Sequence, residues 1–190
     1  MGIVNADNLT FETQDNYQKQ TYRNRCYIYG ANGKQLLTVP TIHKKTNTKQ
    51  KSKDIKVDNN TPWQKLHIKS LQSAYRSSPF FEFYEDDILE VFNKKYAFLL
   101  DLNFKIISII NDCLQLEIPI QKTLEYKLNS ENDFRNLVNA KNTQNYLLKK
   151  YTQVFDDKYG FISNLSILDL LFNEGPNTLE YLENHKNSLF

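Results

Sequence analysis

A chain of 190 residues, 40 % hydrophobic and 13 % aromatic, has enough apolar side chains to fill one core, which argues against a disordered protein. Its formal net charge of +2 gives no strongly basic footprint, so a nucleic-acid partner is not expected. The apolar run FKIISIINDCLQL carries Lys105 and Asp112 and is too short to span a bilayer.

The opening segment MGIVNADNLT lacks the basic-then-apolar pattern of a signal peptide. Cys26 and Cys113 have neither metal-ligand spacing nor a disulfide framework, so each reads as a small buried apolar residue in a cytoplasmic protein. Abundant Asn and Lys read as genome base composition, because apolar periodicity persists through most of the chain.

In chain order, ADNLTFET reads as a short strand. TYRNRCYIYG, the turn ANG and KQLLTVP read as a β-hairpin, with Gly33 supplying the positive φ of the turn. IHKKTNTKQKSKD is a lysine-rich polar loop, and DIKVDN a further short strand. Thr61 and Pro62 give the start signal of a helix over 61–76, as cap and first helical residue. Ser78-Pro79 repeats that signal, and helices then run to about residue 116 with a break at 101–103. IPIQKTLEYKL is strand-like, NDFRNLVN a short helix and KKYTQVFDD another strand. SNLSILDLLFNE is a helix ended by Gly175-Pro176, and NTLEYLENH a last short one. The expected fold is α/β: a mixed sheet with an N-terminal β-hairpin and several packed helices, in a single domain over 1–190.

Only four of the 24 basic residues are arginine, and two of them, Arg23 and Arg25, flank Asn24. In an extended strand Lys19, Thr21, Arg23 and Arg25 share a face, with the guanidinium groups about 7 Å apart. A guanidinium is a planar fork of donors that grips a carboxylate or phosphate at two points, which lysine cannot do. Lys19, Arg23, Asn24 and Arg25 are therefore candidate substrate-binding residues. The competing reading has the arginines in internal ion pairs with acidic groups such as Asp86 or Asp169.

On the helix over 61–76, Trp63, Leu66, His67, Ser70 and Ala74 form the packed stripe; Lys65, Lys69, Gln72 and Arg76 form the polar one. His67 is either a core histidine with one hydrogen bond or a proton carrier, and Trp63 stands one turn away as a binding residue. No metal ligand set accompanies them. Tyr75, Phe80, Phe81, Phe83 and Tyr84 read as core. In SNLSILDLLFNE the apolar residues nearly encircle the helix, leaving the strip Ser166, Asp169, Asn173. A buried carboxylate needs a cation or donors, so Asp169 either pairs with an arginine such as Arg23 or Arg25 or opens into a cleft as a catalytic group. Tyr151 and Gln153 share a strand face and could orient a ligand. No P-loop, GxGxxG, nucleophile elbow, HExxH, CxxC or DxD pair occurs, and no cofactor can be named.

Three blocks, DNYQKQTYRNRCYIYGANGKQLLTVP, TPWQKLHIKSLQSAYRSSPFFEFY, and YTQVF with GFISNLSILDLLFNEGP, together resemble the WbqC-like family from about residue 6 to 182. The resemblance implies bacterial surface polysaccharide (O-antigen) biosynthesis, with a glycine-transferase role proposed for some members. It implies a small anionic activated donor, aminoacyl or nucleotide-sugar, or a sugar acceptor. Members usually begin with a further strand and helix, so the chain is expected to be N-terminally truncated relative to the family. A non-catalytic binding or scaffold domain is the alternative, and RNA held by the lysine loop a third reading.

Overall fold

The computed structural model describes residues 3–4, 6–42, 49–130, 132–140 and 148–185. Both helices and strands are present, as a mixed α/β chain requires. The strands pair two by two. β1 (Leu9–Phe11) runs parallel to β6 (Ile120–Lys122) in the register Leu9↔Ile120. β2 (Arg25–Gly30) and β3 (Gly33–Thr38) form the N-terminal hairpin, from Gly30↔Gly33 at the turn to Arg25↔Thr38 at the open end. β4 (Thr41–Ile42) pairs antiparallel with β5 (Lys56–Val57). Gly33 has φ +92° and closes the hairpin where the sequence put the turn. Residues 43–48 of the lysine-rich loop lie outside the described residues.

The helices are α1 (Trp63–Tyr75), α2 (Phe81–Glu90), α3 (Leu99–Leu114), α4 (Asp156–Tyr159), α5 (Ile167–Glu174) and α6 (Thr178–Asn184). One continuous apolar core joins Ile28 and Leu37 of the hairpin to Leu71 and Tyr75 of α1, Phe81 of α2, Leu102 of α3 and Phe172 of α5. Phe172 stacks with Tyr75 and Phe81 at centroid distances of 5.1 and 5.0 Å, and so ties α1, α2 and α5 together. Edge-to-face contacts of this kind add about 0.5–1.5 kcal/mol each to the area they bury.

Several local expectations need correction. Pro62 is the cap residue of α1 rather than its first helical residue, and the Thr61 hydroxyl turns back to the Asp58 carbonyl instead of capping. The buried face of α1 is Trp63, His67, Leu71, Ala74 and Tyr75, one residue round from the expected stripe, and Leu66 is 58 % exposed. Phe83, expected in the core, is 75 % exposed. Residues 101–103 lie inside α3; the helices break earlier, where a short 3₁₀ turn (Val91–Asn93) and an extended link precede α3.

KKYTQVFDD pairs with no strand among the described residues. Side chains replace the ladder there. Ile162 N–H donates to Gln153 Oε1 at 2.8 Å, Gln153 Nε2 donates to the Ile162 carbonyl, and the Tyr29 hydroxyl reaches the carbonyls of Phe155 and Gly160. Within the segment itself, Lys149 N–H donates to His185 Nε2, the Lys149 carbonyl accepts from the Tyr181 hydroxyl and Gln153 N–H donates to Asp156 Oδ2, so these backbone groups and the Phe155 carbonyl are met without a sheet.

Candidate functional site

The sequence-predicted residues fall into two clusters at opposite ends of the β2–β3 hairpin. At its open end lies the turn that carries the arginine pair. Arg23 precedes β2 and sits in a turn rather than in the strand, so the shared strand face expected for Lys19, Arg23 and Arg25 does not form. Lys19 is exposed in the preceding bend. Arg23 Nη2 pairs with Asp15 Oδ2 at 2.6 Å, with side chains only 16 % and 9 % exposed. Its acidic partner is thus Asp15, not Asp86 or Asp169. Asn24 holds the turn onto the end of β3: its Nδ2 donates to the Val39 carbonyl, and Val39 N–H donates to the Asn24 carbonyl. From α3, Asn103 Nδ2 fixes the Arg23 carbonyl.

Much of this turn's hydrogen-bonding capacity is unused. Arg23 Nη1, Arg25 Nε, Asp15 Oδ1, Asn24 Oδ1 and Ser52 Oγ are all buried and find no hydrogen-bond partner among the described residues. Native structures carry few such atoms, and each costs about 1–3 kcal/mol. Three of the five belong to residues 23–25, and Asp15 is tied to them by its ion pair with Arg23. Ser52 N–H donates to the Asp15 carbonyl, so this strand-flanking residue belongs to the same cluster. Tyr17 completes it: burial raises the pKa of its phenol, while the Thr41 hydrogen bond and the positive charges of Arg23 and Arg25 pull it back down.

His67 is linked to the same end of the hairpin. Its Nε2 donates to the carbonyl of Thr38, the residue that pairs with Arg25 across the hairpin. The ring is 8 % exposed and packs edge-on against Trp63 and Phe92 at 5.2 and 5.9 Å. Burial lowers its pKa, partly offset by the Thr38 bond, so the imidazole is neutral at pH 7. Trp63 Nε1 is buried without a partner.

The second cluster surrounds Asp169 on α5, behind the turn end of the hairpin. The residue is fully buried. Its Oδ1 accepts from the Tyr75 hydroxyl at 2.8 Å; its Oδ2 accepts from the Tyr151 hydroxyl at 2.6 Å and from Gln153 Nε2 at 2.8 Å. Neither expected arrangement, an arginine pair or an open cleft, occurs. Burial raises the Asp169 pKa against the three hydrogen bonds that lower it. The same burial, with the adjacent carboxylate, pushes the phenols of Tyr75 and Tyr151 far up. Tyr75 also accepts Tyr29 N–H at 2.9 Å, which joins the cluster to β2. The polar strip on α5 has local causes: Ser166 caps the helix by accepting Leu168 N–H, and Asn173 Nδ2 donates to the Asp169 carbonyl.

The structure thus places Arg23, Asn24 and Arg25 at one end of the hairpin, where His67 is bonded to Thr38 and Trp63 packs on His67, and separately joins Tyr151, Gln153 and Asp169. Arg25 and Tyr29 stand four residues apart on β2, about 13 Å at strand rise, so the two clusters do not share one pocket. Sequence reasoning missed Asp15, Tyr17 and Ser52 at the arginine turn, and counted Tyr75 as core only. A shallow groove at the end of α3, lined by Asn111, Asp112, Glu117 and Ile120, contains none of these residues. Among the described residues no group of three or more His, Cys, Asp or Glu could hold a metal, and no helix is long and apolar enough to cross a membrane.

Comparison with known proteins adds three findings. The WbqC-like protein family matches residues 2–149 and 131–181. An uncharacterized protein of Mycobacterium tuberculosis is 27 % identical over 208 residues, covering 95 % of this chain and 89 % of that protein. No solved structure matches the chain.

Proposed function

Because the chain belongs to the WbqC-like protein family, we propose that it serves bacterial surface polysaccharide biosynthesis as a transferase-like protein that binds an anionic activated donor at the arginine turn. The observation that carries the reading is the pair of buried guanidinium nitrogens, Arg23 Nη1 and Arg25 Nε, from which no group among the described residues accepts. A phosphate or carboxylate offers several acceptor sites, and a charge-assisted bond is about twice as strong as a neutral one. Asp15 neutralises only one charge of the pair, so Arg25 is the cation available to a ligand. His67, hydrogen-bonded to Thr38 opposite Arg25, is the nearer candidate proton carrier. Asp169 holds α5, α1 and the segment around residue 151 together, and so supports the hairpin from its far end.

A second reading, a non-catalytic binding domain of the same pathway, is favoured by one specific observation. Both candidate proton carriers are buried and engaged, His67 by a backbone carbonyl and Asp169 by three donors. Thermal unfolding against nucleotide sugars, nucleotides and aminoacyl adenylates tests the proposal. A ligand well above its dissociation constant stabilises by RT ln(1 + [L]/Kd), about 2.7 kcal/mol at a hundredfold excess. The expected result is a shift with one class of ligand that Arg25→Ala abolishes. A shift that Arg25→Ala leaves intact removes the site from the arginine turn. Turnover of the same ligand, lost in His67→Gln, separates transferase from binding domain.

A further inference from the structure

The unused atoms of the arginine turn are not all donors. Asp15 uses Oδ2 on Arg23 and leaves Oδ1 without a partner. Asn24 commits Nδ2 to the Val39 carbonyl at 2.9 Å, and this fixes the orientation of its amide: turning it over would set Oδ1 against another oxygen. The unpartnered atom of Asn24 is therefore an acceptor. Both residues are more than nine-tenths buried. An anion without a donor, such as sulfate, offers acceptors to Arg23 Nη1 and Arg25 Nε but would leave these two oxygens unmet, and would repel the Asp15 carboxylate.

Building on the anion-site reading above, we propose that Asp15 and Asn24 form the acceptor half of the site and select a ligand that carries a hydrogen-bond donor, a hydroxyl or an ammonium, next to its phosphate or carboxylate. Neither oxygen can accept from the other, and Ser52 Oγ can serve either role. None of the five atoms reaches solvent, so the side chains of the turn rotate outward to admit the ligand. A site whose buried polar groups are aimed at a donor rejects the analogue that lacks it, because those groups then stay unpaired.

The test is titration calorimetry of the full chain with three pairs of probes that differ in the donor. These are glycerol 3-phosphate against propyl phosphate, O-phosphoethanolamine against ethyl phosphate, and lactate against propionate. The expected result is that the donor-bearing member of at least one pair binds about tenfold or more tighter. Which pair does so tells hydroxyl from ammonium and phosphate from carboxylate. Asp15→Asn and Asn24→Ser are expected to shrink that ratio towards one, the first most strongly for the ammonium probe. Equal binding within every pair overturns this inference and leaves the anion site standing. A preference untouched in both variants overturns the assignment to Asp15 and Asn24. No binding by any probe overturns the inference together with the anion site.

Discussion

Replacing Asp169 by alanine removes the acceptor shared by three buried donors. The Tyr75 hydroxyl, the Tyr151 hydroxyl and Gln153 Nε2 point at it from 2.8, 2.6 and 2.8 Å. Each stranded donor costs about 1–3 kcal/mol. Some of that is recovered, because Gln153 Nε2 still donates to the Ile162 carbonyl and the Tyr151 hydroxyl oxygen. Alanine also relieves the desolvation that raises the Asp169 pKa. The expected net loss is about 3–5 kcal/mol, what remains of three stranded neutral donors after that recovery. Asparagine keeps an acceptor for Tyr75 but turns an NH₂ towards Gln153, which is itself a donor, and is expected to lose about 1–3 kcal/mol. Urea unfolding read by tyrosine and tryptophan fluorescence gives both values from midpoint shifts at constant slope. A loss below about 1 kcal/mol in Asp169→Ala, or a larger loss in Asp169→Asn than in Asp169→Ala, would refute the network.

Three further outcomes are expected. Arg23→Ala strands the 9 %-exposed Asp15 side chain and should cost about 2–4 kcal/mol, whereas Arg25→Ala breaks no side-chain hydrogen bond or ion pair among the described residues and should stay within about 1 kcal/mol of wild type in the same urea assay. Because the folded pKa of His67 is depressed, unfolded chains bind more protons below the ordinary histidine value. Its contribution is therefore complete above about pH 6.5 and is lost as pH falls towards the folded pKa; His67→Gln should flatten the slope of stability against pH in that window. Gly175 ends α5 at φ +53°, and a Cβ there would meet the Phe80 ring at 2.5 Å; Gly175→Ala should cost about 2–4 kcal/mol by thermal unfolding, and pairing it with Phe80→Ala should recover part of that loss.

The hairpin, α1, α5 and α6 were legible because periodicity and turn residues are local signals: Gly33 marks the turn, and Gly175-Pro176 marks the end of α5. The strand expected at KKYTQVFDD finds no pairing strand among the described residues; Tyr29, Tyr181 and His185 bond its backbone from distant positions, and no local pattern reveals that substitution. The stripe on α1 was turned by one residue because Leu71 and Tyr75, not Leu66 and Ser70, meet the core. At the site, arginine in a lysine-rich chain was read as a planar donor for an anion or for an internal carboxylate, and Arg23 meets an internal carboxylate. Its partner Asp15 lies eight residues upstream across a turn, beyond any helix or strand spacing. Asp169 was rightly expected to need partners, yet tyrosine hydroxyls filled the role assigned to arginine, since Tyr75 reads from sequence as one more core aromatic.

The chain's four arginines allow the central claim to be tested at the atoms concerned. An arginine-selective ¹⁵N–¹H spectrum contains one Nε–Hε signal for each of Arg23, Arg25, Arg76 and Arg135. The signals are assigned by single substitution and followed as a donor-bearing anion such as glycerol 3-phosphate is added. Arg135 is already held by Asp133 and the carbonyls of Lys127 and Leu128, and serves as the internal control. The account predicts a saturable shift of the Arg25 signal, a smaller one of Arg23, and none of Arg135. Four signals that stay still through the titration, or that move together without saturating, would contradict an anion site on the arginine turn.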